Sequence, residues 1–109
     1  MASQLIANLE KMLGTPRDGA LLRFSLGCEY LKAGEQARAV EQLLAAVERD
    51  PRYSAAWKML GKALAESGRT EDAMCAYRSG IDAARAKGDK QAEKEMGVYL
   101  RRLERSRTA

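Results

Sequence analysis

The chain has 109 residues and a net charge of +4, from 19 Lys and Arg against 15 Asp and Glu, and it contains no histidine. That length holds one domain with a modest core, too small for a deep cleft between two domains. Without histidine there is no ordinary general base near neutral pH and no Ser–His or Cys–His pair.

The first residues, MASQLIANLEKML, lack the basic start and continuous apolar run of a secretory leader. No stretch approaches the ~20 apolar residues that a membrane span requires, and the expectation is a cytoplasmic protein. Residues 3–13 read as an amphipathic helix with Leu5, Ile6, Leu9, Met12 and Leu13 on one face. Ser3 stands where a cap is wanted, and Gly14 and Pro16 end the helix. GTPRDG at 14–19 has glycines but no Walker lysine and no preceding strand, so it reads as a turn.

Asp18 is placed to cap a second helix that runs to about Ala33, before Gly34. A third runs from about Gln36 to Arg49, where Asp50-Pro51 forces a break. Ser54 is the expected cap of a fourth helix, which carries Trp57 and stops before Gly68. Thr70, followed by Glu71 and Asp72, starts a fifth with acids at the positive end of its dipole, running to Lys87 with Gly88 as its stop. Asp89 opens a last helix through about Arg105. The composition is rich in Ala, Leu, Glu, Lys and Arg and has no strand-like Val/Ile/Thr runs, so the fold class is all-α.

Within WKMLGKALAESGRTEDAMCA (57–76), Gly61 sits inside a helix, where glycine costs ~1 kcal/mol relative to alanine. Shifting the sequence by 34 residues brings Leu60 onto Leu26, Gly61 onto Gly27, Gly68 onto Gly34 and Ala73 onto Ala39. Tyr77 falls on Leu43, Gly80 on Ala46 and Ile81 on Val47, so the chain contains an internal repeat. The physical reading is a pair of helices in each copy. Gly27 or Gly61 on the first and Ala39 or Ala73 on the second let the backbones approach closely. Met96-Gly97 followed by Leu100 echoes Leu60-Gly61 and Leu64 at an offset of 36, which suggests a degenerate third copy with two residues inserted in the turn.

These residues resemble the tetratricopeptide repeat, a 34-residue helix–turn–helix with the pattern W-x-x-L-G-x-x-Y, A-x-x-x-F and a closing proline. The second copy carries Trp57, Leu60, Gly61, Ala73 and Tyr77, with Leu64 for the motif tyrosine and Arg85 for the proline. The first carries Leu26, Gly27, Tyr30, Ala39, Ala46 and Pro51, with Leu43 for the aromatic. Arg23 holds its tryptophan position, so Leu22 and Phe24 are expected to share that packing. The resemblance implies a right-handed stack of antiparallel helix pairs, an α-solenoid of about six helices. Residues 1–109 then form one domain: an N-terminal helix (3–13), repeat 1 (20–53), repeat 2 (54–87) and a C-terminal capping helix (89–106). The N-terminal helix would act as the second helix of a missing preceding repeat.

The same resemblance implies a concave groove, lined by the first helix of each repeat, that holds a peptide or a partner's helix. Carried over position by position, Leu21, Phe24, Cys28 and Leu31 supply an apolar half. Ala55, Lys58, Lys62 and Ala65 follow, and the last helix adds Gln91, Lys94, Val98 and Arg101. Lys58 and Lys62, with Lys94 beside them, make the second half basic, suited to an apolar anchor next to a carboxylate. The lysine-and-asparagine clamp that some relatives use for chaperone termini does not carry over. Phe24 and Cys28 fill its first-repeat sites, and Met59 stands where an asparagine belongs.

Elsewhere the side chains read as structural. Cys28 and Cys75 lie 47 residues apart with no CxxC, which indicates neither a disulfide framework nor a metal site. Glu71, Asp72, Glu93 and Glu95 are helical acids with Lys90 and Lys94 close by, as on a solvated face. The expectation is therefore no enzyme, no cofactor and no small-molecule substrate. Residues 1–100 are nearly neutral, and RRLERSRTA supplies +3 of the net charge. That arginine-rich end could meet nucleic acid or anionic lipid, but its sparse aromatics and Glu104 rank this below protein binding. Self-association as a homodimer through the apolar half is the other alternative to an adaptor or scaffold.

Overall fold

The computed structural model describes residues 2–108, which fold into six helices with no strand among them. They are α1 (Ala2–Glu10), α2 (Ala20–Lys32), α3 (Gln36–Arg49), α4 (Ser54–Glu66), α5 (Thr70–Ala86) and α6 (Lys90–Thr108). What ends them is legible in the backbone. Gly34, Gly68 and Gly88 adopt φ of 77°, 77° and 73°, the left-handed region that only glycine enters without strain. At each, the amide of the following residue donates back across the helix end: Glu35 to the Tyr30 carbonyl, Arg69 to Leu64 and Asp89 to Ala84. The glycine amides themselves donate to Leu31, Ala65 and Arg85, completing the same closing motif three times.

Asp50-Pro51 stops α3 at Arg49. Thirty-four residues on, Ala84-Arg85 imposes no such break, and α5 continues to Ala86. The two residues that separate the third copy from a 34-residue spacing therefore do not sit in the turn, where the sequence suggests them, but in α5. α5 is 17 residues long against 14 for α3, while its following turn is one residue shorter.

The capping roles also differ from expectation. Gly19, Tyr53 and Arg69 occupy the positions before α2, α4 and α5, and none of the three makes a side-chain cap bond. Asp18 instead accepts the Gly14 amide at 2.9 Å and holds the Arg23 guanidinium through two bonds of 2.9 Å. Ser54 is the buried first residue of α4 rather than its cap. Asp89 does cap α6, accepting the Ala92 amide at 3.1 Å. α1 ends at Glu10, and Met12 and Leu13 follow in tight turns. Ser3 lies inside α1, and its side chain is outside the described residues.

Consecutive helices pack on each other throughout. Leu26, Leu43, Met74 and Met96 are fully buried, and Ala39, Ala46, Ala56, Ala63 and Ala73 keep the helices close. The interior glycines are explained by a specific neighbour. A Cβ on Gly61 would lie 2.5–2.7 Å from the Tyr77 ring, and one on Gly27 would overlap the Leu43 side chain. The close approach thus lies between each glycine and the large residue sixteen positions later, while Ala39 and Ala73 fill buried sites of their own. Trp57 closes the second copy, its indole N–H donating to the Pro51 carbonyl at 2.8 Å. In the first copy Leu22 is buried, but Phe24 is half-buried and stacks on Tyr53 with ring centroids 4.9 Å apart.

Candidate functional site

α2 touches α4 and α4 touches α6, whereas α3 and α5 make no such contact. Helices of one row stand closer than those of the other, so the stack curves toward the face formed by α2, α4 and α6. Of the expected site residues, Lys58, Lys62 and Ala65 line one hollow on this face and Ala55 and Gln91 a smaller one, whereas Lys94 and Arg101 line a hollow on α5 and α6.

A hollow of about 440 Å³ lies between α4 and α6, lined by Lys58, Met59, Lys62, Ala65 and Glu66, with Tyr77 and Tyr99 as aromatic walls. The two rings are 5.7 Å apart, tilted by 42°. Burial, then the neighbouring Tyr99 and Glu66, push the Tyr77 hydroxyl up to about 12, so it remains a neutral hydrogen-bonding group at physiological pH. Lys58 is bridged by Glu95 of α6 at 3.4 Å. Lys62 is exposed and takes part in no ion pair among the described residues. It lies close enough to Cys28 of α2 to lower the thiol's pKa, although burial is the larger effect and raises it.

On α2, Phe24, Cys28 and Leu31 are half-buried, and Phe24 and Leu31 rest against the core. Leu21 projects into solvent and is 69 % exposed. The structure thus brings Lys58 and Lys62 together but separates them from Lys94, which lines another hollow on α5 and α6 with Ile81 and Leu100. Glu95 and Tyr99 face α4 in its place. Neither they nor Met59 were expected to line the groove. Their signal was the i, i+4 spacing of Glu95 and Tyr99 on the face adjoining buried Met96.

The arginine-rich end is helical and partly engaged. Arg107 reaches both carboxylate oxygens of Glu71 at 2.9 and 3.1 Å, Arg78 pairs with Glu104 at 3.6 Å, and Arg102 lies over the Tyr99 ring. Cys28 and Cys75 are free thiols. Among the described residues no His, Cys, Asp and Glu side chains gather as a metal site, and no helix is long and apolar enough to cross a membrane.

Paired helices stacked in register, with a glycine notch filled in each of the first two copies, define a helical-repeat protein. The chain belongs to the tetratricopeptide repeat family, whose profile matches residues 24–90. A TPR repeat-containing protein of Pseudomonas aeruginosa is 54 % identical over 104 residues, covering 95 % of this chain and 99 % of that protein. The solution structure of a Bordetella parapertussis protein is similar at 44 % identity and a TM-score of 0.79, covering 93 % of this chain and 88 % of that one. The crystal structure of a tetratricopeptide repeat domain protein from Salinibacter ruber follows at 31 % identity and a TM-score of 0.74, covering 80 % and 97 %.

Proposed function

We propose that this chain is an adaptor that binds a segment of another protein, a peptide or a helix, along the α2–α4–α6 face. The tetratricopeptide fold is in general a protein–protein interaction module, and its members are typically non-catalytic. The observation that carries this reading is the hollow beside Met59, Tyr77 and Tyr99, an apolar seat rimmed by Lys62, which is in no ion pair among the described residues, and by Glu66. A ligand side chain entering it would lose apolar area to the rings, while Lys62 would orient a neighbouring carboxylate and speed encounter. Glu95 neutralises Lys58, so the face is less basic than its lysine count implies.

The test is affinity capture from native lysate with wild type and with Met59→Glu/Lys62→Glu, followed by affinity measurement on each purified candidate. A partner lost from that variant and kept by Leu44→Glu, on the opposite face, supports the groove. A partner kept by the groove variant and lost from Leu44→Glu refutes it. The engaged state of Arg102 and Arg107 disfavours a nucleic-acid role for that end.

A further inference from the structure

The third copy holds a helix seat that is built but unfilled. In the first two copies a large side chain occupies the notch at the interior glycine, Leu43 at Gly27 and Tyr77 at Gly61. Gly97 is the equivalent residue of α6, and a Cβ there would meet nothing nearer than the Arg101 guanidinium at 3.4 Å. The surrounding positions show the same contrast. Val47 and Leu64 are 3 % and 5 % exposed, whereas Ile81 and Leu100, one repeat later, are only half-buried. Together Ile81, Gly97 and Leu100 floor a hollow of about 490 Å³.

The chain does not turn back here to fill the seat itself. α2 and α4 are turned by Gly34 and Gly68, but the matching position in α6 holds Glu104, and the helix runs on to Thr108. The rim is also altered in one direction. Lys90 stands where α4 has buried Ser54, Arg101 where it has Ala65, and Lys94 completes the row. These three form no ion pair among the described residues. Glu93, the acid of the lining, is bound to Arg85 at 3.0 Å.

We infer that α6 receives, in trans, an acidic amphipathic helix from another protein, which seats a large apolar side chain against Gly97 and its carboxylates against Lys90, Lys94 and Arg101. The apolar floor supplies the affinity, and the one-signed rim selects the partner and its orientation. This surface is separate from the α4–α6 hollow, so its fate does not depend on the groove reading.

The probe is a labelled peptide of the α3 sequence, residues 36–49, stapled on its solvent face and carrying Arg38→Glu and Arg49→Glu. It keeps Leu43, the side chain that fills Gly27, and becomes acidic. Fluorescence anisotropy against the full chain should show saturable binding that weakens as salt is raised. Gly97→Phe, which has open space for its ring and should fold, should weaken binding at least ~10-fold, about 1.4 kcal/mol. Lys94→Glu/Arg101→Glu should do the same, and Lys62→Glu should leave binding unchanged. No binding to wild type, or equal binding to Gly97→Phe, overturns the inference. So does a wild-type dimer in sedimentation that Gly97→Phe dissociates, since the occupant would then be a second copy.

Discussion

Replacing Gly61 by alanine sets two effects of known sign against each other. Alanine is the better helix former by ~1 kcal/mol. Its Cβ, however, would stand 2.5 Å from Cε1, 2.6 Å from Cζ and 2.7 Å from Cδ1 of Tyr77, where carbon contacts normally rest at ~3.5–4.0 Å. The ring must therefore retreat by about 1 Å. It is only 4 % exposed and has Tyr99 beyond it, so the retreat displaces other side chains. Overpacking of this kind costs ~1–3 kcal/mol. A retreat of about 1 Å by a buried ring belongs in the upper part of that range, ~2–3 kcal/mol, so subtracting the helix gain leaves a loss of about 1–2 kcal/mol, or roughly 4–10 °C in Tm for a domain near this size. Gly97→Ala is the internal control. The same change, in a helix with an open notch, should stabilise by up to ~1 kcal/mol. Urea and thermal unfolding followed by circular dichroism measure both. If Gly61→Ala proves as stable as wild type, the glycine is not holding space for Tyr77 and the account of the repeat's packing is wrong. A double-mutant cycle sharpens the point, because once Tyr77→Ala has emptied the site, Gly61→Ala should no longer destabilise.

The remaining tests are shorter. The Arg23 guanidinium, then the Gly14 amide, lower the Asp18 carboxyl from 3.8 to about 2. A depressed folded-state pKa contributes stability that is complete above the unfolded value and is lost as pH falls toward 2. Asp18→Asn should therefore lower Tm at pH 7 and flatten its fall between pH 4 and 2. Burial raises the Cys28 thiol while Cys75 is exposed, so mass spectrometry during limited iodoacetamide treatment should find Cys75 alkylated first. Comparable rates at both would contradict the burial of Cys28. Asp89→Ala removes the cap on the Ala92 amide and should cost ~1 kcal/mol, with faster amide exchange in the first turn of α6. Unchanged exchange would show that the cap bond does not hold that turn.

Much of this architecture could be read before the coordinates, and the misses have physical causes. The bounds of α3 follow from Asp50-Pro51, because a proline excludes helix in the residue before it. The loss of that proline at Arg85 lengthened α5, and the sequence pattern registered two extra residues without showing that a helix had absorbed them. The interior glycines marked a close approach. Small residues were then paired with small, whereas the packing sets glycine against the large side chains of Leu43 and Tyr77. Spacing alone shows which face a residue occupies, not which neighbour reaches into it. Lys94 was displaced for a related reason. Register transfers a position along the repeat, but among the described residues no further helix lies beside α6, so Lys94 borders an open hollow and not a continued groove. The cap assignment failed at Asp18 because its carboxylate is occupied by the Arg23 guanidinium and the Gly14 amide, and not by an amide of α2.

The contact order along the stack has a kinetic consequence. Each helix touches its immediate neighbour, and α4 reaches only as far as α2 and α6. Nothing in α1 waits on α5 or α6, so no large loop must close before native contacts begin to accumulate. Folding should be fast for a chain of this length, with the densely paired middle helices free to nucleate and the ends adding outward. The same economy makes α1 and α6 the first to come away, and a helix arriving from another protein would slow that loss at one end alone.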